Sequence, residues 1–451
     1  MQLHRYTRGR FQRTALLAFG IGLLGAGAAS GAPVFHVSTA GNSIAPTYTR
    51  VFAFTGGPGG AAPRGALTGD GTGAWYGVAA GDEVACSESA PGECGLVFKL
   101  SPVGSHYVET VLYAFSGIVS NGQMVSALPN GTLALDRNGV LYGTTVSGGS
   151  AGFGNVYSLT PGPGGYVEAD IYDFQNSIDG AYPNGGLVVD AAGALYGTNQ
   201  STAFKLTPSG PGYAVSTLHR FRDRELDGAS PGPLVVDAAG RMFGTTALGG
   251  SGPCKSGGKK VTGCGTIFAL VATPDGYHER VLYSFPGGAA GAYPTSLLLR
   301  DFGGSLYGTT QSGGDAKCAC GVAFRLSPTP AGSSYSVLYA FEGTGFRGGD
   351  GANPVAFGGL VADGYGTLYG ETSLGGMLDR GTIFRLTRSP QGGYVESVIH
   401  RFTNHQGDLG PSPSGALAVS ATNALFGLTE AGGVGPCSLG NGCGLVFKMQ
   451  P

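Results

Sequence analysis

Aromatic and β-branched residues fall at alternating positions in short segments along this chain, and glycine-rich turns separate the segments. That is the pattern of pleated strands packed on both faces. The most regular segment is an apolar residue, an aromatic and a glycine, written seven times: Trp75-Tyr76-Gly77, Leu141-Tyr142-Gly143, Leu195-Tyr196-Gly197, Met242-Phe243-Gly244, Leu306-Tyr307-Gly308, Leu368-Tyr369-Gly370 and Leu425-Phe426-Gly427. The glycines are 66, 54, 47, 64, 62 and 57 residues apart. A repeat of this length made of short β segments implies a propeller or a solenoid.

Each unit holds four such segments, here named a to d. In the third copy, a is Gly186 to Asp190, b is Leu195 to Thr198, c is Ala203 to Leu206 and d is Tyr213 to Phe221. The a–b turn reads Asp-x-x-Gly in six units, from Asp70 and Gly73 to Asp363 and Gly366. Asp at the first turn position bonds its own backbone, and Gly at the fourth tolerates positive φ. The seventh unit has Ser420-Ala421-Thr422-Asn423, and Asn is the next best residue there. Strand c recurs as Val97-Phe98-Lys99-Leu100 or Ile383-Phe384-Arg385-Leu386, and strand d as Leu112-Tyr113-Ala114-Phe115 or Leu338-Tyr339-Ala340-Phe341. His219 and His400 occupy the tyrosine slot of strand d and read as packing substitutes.

One such sheet cannot bury both of its faces, whereas a ring of them can. The first repeat element is a lone d segment, residues 48–54, and the last unit stops after its c segment. The expected fold is therefore all-β: a seven-bladed β-propeller of four-stranded blades, its ring closed by residues 48–54 pairing beside residues 444–449, which also protects both edges. Length alone would suggest about three domains, but the repeats run unbroken from Tyr48 to Met449. The boundaries expected are 1–32 for a signal peptide, 33–47 for a linker and 48–451 for the propeller.

Composition fits this reading. Glycine is abundant, 86 of 451 residues, without the strict Gly-X-Y period of collagen. The chain is 42% hydrophobic and 10% aromatic, enough for a large core. Formal net charge is −2, so no basic field favours nucleic acid. Arg5, Arg8, Arg10 and Arg13 precede an apolar run ending in small residues around Ala26 to Ala32, the pattern of a cleaved export signal. The apolar core, Ala15 to Leu24, is short for a membrane span. Removing the signal takes away four arginines and no acids, giving −2 − 4 = −6. No membrane span is expected afterwards.

The eight cysteines support export. They come as local pairs: Cys86 and Cys94, Cys254 and Cys264, Cys318 and Cys320, Cys437 and Cys443, all in b–c loops. Pairing within each loop is the simplest connectivity. Cys318 and Cys320 are tight enough that a bridge would be strained, so their pairing stays open; metal binding is the alternative for such spacing.

Antiparallel strands put the b–c and d–a loops on one face. These loops are long and variable, and variable loops on a rigid scaffold are where binding usually lives. The first b–c loop is acidic (Asp82, Glu83, Glu88, Glu93) and the fourth basic (Lys255, Lys259, Lys260), a bipolar arrangement that could orient a charged partner. Three d–a loops carry Asp-Gly-x-x-Pro, beginning at Asp179, Asp227 and Asp350. Their oxygens could hold calcium, but the residues are also ordinary turn formers, and only three units keep the motif intact. No other cofactor is expected. No nucleophile elbow, zinc motif or phosphate loop occurs. Glu371 and Glu430 stand near the ends of b strands where other units have threonine or small residues, and are weak candidates for a carboxylate pair in glycosidic chemistry.

The phrase Leu-x-x-Asp-x-x-Gly-x-Leu-Tyr-Gly-Thr-Thr-x-x-Gly-Gly, seen best at Leu133 to Gly149 and Leu234 to Gly250, followed by Gly-Thr-Ile-Phe-x-Leu at Gly381 to Leu386, resembles the GloVer tandem repeat of exported bacterial proteins. The resemblance covers nearly all of the chain after the export signal and implies a propeller-like protein at the cell exterior; nothing like the family's C-terminal anchor is visible. It implies no activity and no catalytic residues. The expected function is a secreted binding scaffold for a carbohydrate or protein. The alternatives are a polysaccharide lyase or glycoside hydrolase on the same face, or a purely structural surface protein.

Overall fold

A computed structural model describes residues 46–81, 94–115, 119–120, 123–124, 126–177, 179–183, 185–210, 212–222, 227–254, 263–343, 349–355, 358–376, 378–403, 413–433, 437 and 442–451. They form seven antiparallel sheets of the a-b-c-d kind, with a separate two-stranded ribbon in the first d–a connection. Among the described residues the only helical elements are two single 3-10 turns, Gly57–Gly59 and Gly288–Ala290.

Blade 1 is Pro63–Gly69, Trp75–Ala79, Leu96–Val103 and His106–Ala114. Blade 2 is Ser126–Leu135, Leu141–Gly148, Asn155–Gly162 and Gly165–Asp173. Blade 3 is Val188–Val189, Leu195–Thr198, Thr202–Ser209 and Gly212–Arg220. Blade 4 is Val235–Val236, Met242–Gly249, Thr266–Thr273 and Gly276–Ser284. Blade 5 is Leu299–Arg300, Leu306–Thr310, Val322–Thr329 and Gly332–Ala340. Blade 6 is Val361–Ala362, Leu368–Leu374, Thr382–Arg388 and Tyr394–Arg401. In blade 7, Ala418–Val419, Leu425–Thr429 and Leu445–Gln450 are completed by Thr47–Ala53. The closing strand pairs Tyr48 with Met449 and Ala53 with Leu445, and Phe54 N–H donates to the Gly444 carbonyl at 3.0 Å. The expected closure is therefore present.

The a–b hairpins follow the turn chemistry read from sequence. Asp136 Oδ1 accepts from the backbone N–H of Asn138 and Val140, and Asp363 Oδ1 from those of Tyr365 and Thr367. In blade 7 Ser420 Oγ takes this role for Ala424, and Asn423 adopts φ 59°. The a strands of blades 3 to 7 are shorter than expected: blade 3 keeps two paired residues where five were anticipated. In blades 4 and 6 the inner edge is split, and Gly228–Pro231 and Ala352–Pro354 pair separately with strand b.

The aromatic-glycine motif has a packing cause. Each glycine lies opposite the aromatic of strand c, as Gly197 does to Phe204 and Gly308 to Phe324. A Cβ at either position would sit 2.7 Å from that ring's Cζ. The freed space lets the strand-c ring lie flat under strand b and meet the strand-d phenylalanine of the preceding blade. All seven seams carry this pair: Phe115–Tyr157, Phe174–Phe204, Phe221–Phe268, Phe285–Phe324, Phe341–Phe384, Phe402–Phe447 and, across the closure, Phe54–Phe98, with centroids 4.9–5.6 Å apart. Edge-on or tilted rings at this spacing contribute about 0.5–1.5 kcal/mol beyond their burial.

Nearer the axis, backbone meets backbone. Gly65 abuts Gly131, Gly131 abuts Gly185, Gly358 abuts Gly415, and Gly415 closes on Gly65. Side chains bond across the same seams: Ala66 N–H donates to Thr132 Oγ1 at 2.9 Å, Thr198 Oγ1 to the Gly232 carbonyl at 3.0 Å, and Ser414 Oγ to the Pro63 carbonyl at 2.8 Å.

Candidate functional site

The b–c and d–a loops are joined by a latch that recurs around the ring. At five of the seams the residue before the seam proline has positive φ: Ala62 48°, Leu128 58°, Tyr182 53°, Tyr293 59° and Asn353 49°. Each donates its N–H to a b–c carbonyl, at Cys443, Cys94, Phe153, Cys264 and Cys320 respectively, over 2.8–3.0 Å. The proline then packs on the glycine that opens strand c, as Pro129 does on Gly95 and Pro294 on Gly265. Left-handed backbone at non-glycine residues is costly and persists only where the surroundings hold it. Sequence reading did not find this latch; the recurrent x-Pro after the Asp-Gly pair was its signal.

Disulfides lie beside the latch. Cys254–Cys264, Cys318–Cys320 and Cys437–Cys443 are bonded, so the pairing left open at Cys318 and Cys320 is made. Cys94 is also disulfide-bonded; Cys86 lies outside the described residues. Sulfurs of the three described bridges face Gly56, Gly287 and Gly343 at the start of the d–a loops. One face thus carries loops tied by hydrogen bond, proline and disulfide. The charged candidates Asp82, Glu83, Glu88, Glu93, Lys255, Lys259 and Lys260 lie outside the described residues.

The Asp-Gly acids close their own turns. Asp179 accepts from Tyr172 Oη at 2.9 Å, Gln175 N–H at 2.9 Å and both Ser177 donors. Asp350 accepts from Tyr339 Oη and from the N–H groups of Glu342 and Gly343. Burial alone would raise the Asp179 carboxyl, but these donors outweigh it and hold the group below its usual range. Asp227 is held low in the same way, with His219 Nε2 at 3.1 Å in the tyrosine's place. His219 is thus more than a packing substitute. His400 does pack, stacking on Tyr48 at 4.2 Å.

At the rim of the seams, the residue six before the strand-d phenylalanine stands against the tyrosine slot of the preceding blade. Tyr335 stacks on Tyr283 at 4.1 Å. In blades 1, 2, 4 and 6 the position is glutamate, Glu109, Glu168, Glu279 and Glu396, whereas blade 3 has Val215 and blade 7 has Tyr48. Burial pushes Glu109, Glu168 and Glu396 up to about 7 and Glu279 to about 6, with Asp170 and Asp350 adding to the rise at Glu168 and Glu396. An open cavity of about 380 Å³ lies in the seam between blades 5 and 6, lined by Tyr339, Glu342, Asp350, Glu396 and Arg401 among others. Its polar lining offers acceptors, a phenol and a guanidinium within one recess.

The two weak catalytic candidates differ. Glu371 takes the place held by Thr198 and Thr245 in blades 3 and 4. It is 5% exposed, both carboxylate oxygens lack a hydrogen-bond partner, and burial pushes its carboxyl far up. Glu430 is half exposed and accepts from Arg64 Nε at 3.0 Å. They do not form a hydrogen-bonded pair.

The repeat signature described as the Gloeobacter/Verrucomicrobia repeat matches residues 83–318, more than half of the chain. The chain belongs to this family. No curated protein matches it. Among solved structures, the extracellular domain of a protein described as a one component system from B. thetaiotaomicron is 10% identical, with a TM-score of 0.51, over 84% of this chain and 39% of that chain. PorZ, a surface component of the type-IX secretion system of Porphyromonas gingivalis, is 12% identical, with a TM-score of 0.49, over 85% and 46%. A protein described as a 6-phosphogluconolactonase from Bacteroides uniformis is 10% identical, with a TM-score of 0.46, over 74% and 83%. At 10% identity the first of these likenesses speaks for the fold alone. No helix among the described residues is long and apolar enough to cross a membrane.

Proposed function

We propose that this repeat protein is an exported binding scaffold that presents the b–c and d–a loops to an extracytoplasmic carbohydrate or protein. The observation that carries the reading is the latch: loops of one face are tied to each other and to the next blade, so they form a pre-organised surface, which lowers the ordering cost of binding. Bonded cysteines support an oxidising compartment outside the cytoplasm. The cavity between blades 5 and 6 supplies hydroxyl-binding groups of the kind a sugar needs, with Asp350 and Glu396 as acceptors and Arg401 as donor.

A glycoside hydrolase would need a second carboxylate placed across a bond from the first. Glu371 is buried and Glu430 is engaged by Arg64, which favours binding over hydrolysis by this pair. A glycan array on the purified chain, with reducing-end release measured in the same wells, tests the proposal. Binding without release, weakened by Glu396→Gln or Arg401→Ala, is expected. Release would overturn the scaffold reading and make Glu371→Gln the first substitution.

A further inference from the structure

The tyrosine slot, the Asp-Gly acid and the rim glutamate recur around the ring in different combinations, and one seam departs from the others. Between blades 5 and 6 the slot holds Tyr339, with Asp350 and Glu396 beside it. Between blades 6 and 7 the slot holds an imidazole, His400, but an aromatic ring, Tyr48, stands against it. Between blades 3 and 4 the slot holds His219, the loop acid is Asp227 and the rim residue is Glu279. Nitrogen and oxygen donors from these three residues lie within 4.8 Å of one another, the one such group of three among the described residues. The seam therefore gathers one imidazole and two carboxylates where its counterparts hold a phenol or a ring.

We propose that His219, Asp227 and Glu279 form a binding site for one divalent transition-metal ion of the zinc type. His219 Nε2 and Asp227 Oδ1 are 3.1 Å apart. Two ligands of a single zinc ion, each about 2.0–2.2 Å from it, stand roughly that far apart in tetrahedral geometry. Glu279 Oε1 is buried without a hydrogen-bond partner, an acceptor still lacking its donor. The two carboxylates balance the charge of a divalent ion, and imidazole selects zinc-like metals over calcium. Three protein ligands leave a fourth position for water or an incoming group. His219 lies on blade 3, Asp227 in the loop that leads to blade 4 and Glu279 on blade 4, so the ion would cross-link two blades. Blade 3 contains no cysteine between strands b and c, so the ion would supply there the kind of fastening that disulfides supply in blades 4, 5 and 7.

The test is calorimetric titration of the tag-free, disulfide-intact chain with zinc chloride, with cobalt absorption as the reading of ligand type and a thermal melt as the reading of stability. One zinc per chain is expected, together with a rise in melting temperature. His219→Tyr reinstates the repeat's own residue, which can hydrogen-bond Asp227 as Tyr172 does Asp179, so the variant retains a reason to fold. It and Glu279→Gln should each weaken zinc binding at least about tenfold, as even outer-sphere changes do at such sites. His400→Tyr should leave binding unchanged. Absence of 1:1 zinc binding, undiminished binding in folded His219→Tyr, or preferential binding of calcium would overturn the proposal.

Discussion

The seams between blades have a middle and a rim, and the two follow different rules. In the middle, a strand-d phenylalanine meets a strand-c aromatic seven times, with one substitution, Tyr157. At the rim the same strands present a stacked pair of tyrosines, a histidine on a tyrosine, a tyrosine with two acids, or a histidine with two acids. The middle is sealed, so any departure leaves a void or a stranded polar atom. The rim is only partly buried, so polar and charged side chains occur there and the chemistry varies from seam to seam. Repetition marks where this protein is held together, and variation marks where it can interact.

The sharpest way to break the comparison is at the closing seam. Phe54→Ala removes a fully buried ring from the pair with Phe98 and should cost about 3–5 kcal/mol in denaturant unfolding. A rim ring such as Tyr335→Ala should cost less, because its seam is open to water. Opening the Cys254–Cys264 bridge by a double serine substitution should cost about 2–3 kcal/mol for a loop of that size, read from the same unfolding curves. Gly308→Ala forces the Phe324 ring to move and should cost about 1–3 kcal/mol. Tyr157→Phe is the sharpening test: its hydroxyl is buried without a partner, so removal should be neutral or stabilising by up to about 1 kcal/mol.

The rim carries its own signature in pH. Glu109, Glu168 and Glu396 have folded-state values near 7, raised above their unfolded values near 4.5. A raised carboxyl favours the protonated folded state, so its contribution is complete below about 4.5 and is lost as pH rises through 7. Melting temperature should therefore fall between pH 5 and pH 8. The triple Glu→Gln variant should flatten that slope; an unchanged slope would place its origin elsewhere. Asp179 and Asp227, held low, act in the opposite sense only in stronger acid.

The repeated parts were legible before any coordinates because each is a local word. Asp-x-x-Gly names a hairpin whose donors lie within four residues, and the surplus d segment at Tyr48 matched a missing one at Met449. Contacts between blades were not legible. Nothing adjacent in the chain says that Glu279 faces His219 or that Tyr48 faces His400. The Asp-Gly acids were read as turn formers that could also hold a ligand, because the donors they accept from, such as Tyr172 on the preceding strand, are fixed by the fold. The short a strands of blades 3 to 7 escaped because residue preferences for strands do not report how far a ladder extends.

The closing strand has a consequence for how the molecule comes into being. Tyr48 pairs with Met449 across nearly the whole length of the chain. Contacts of such separation in sequence slow folding, since a large loop must close before they form. During synthesis the first strand emerges early and waits, exposed, for the last. The finished ring is therefore a record of complete delivery: a chain truncated within its final strand would hold six blades and an unmated end. Such an end can pair with another chain, so quality control of this protein would amount to protecting one short segment until its distant partner arrives.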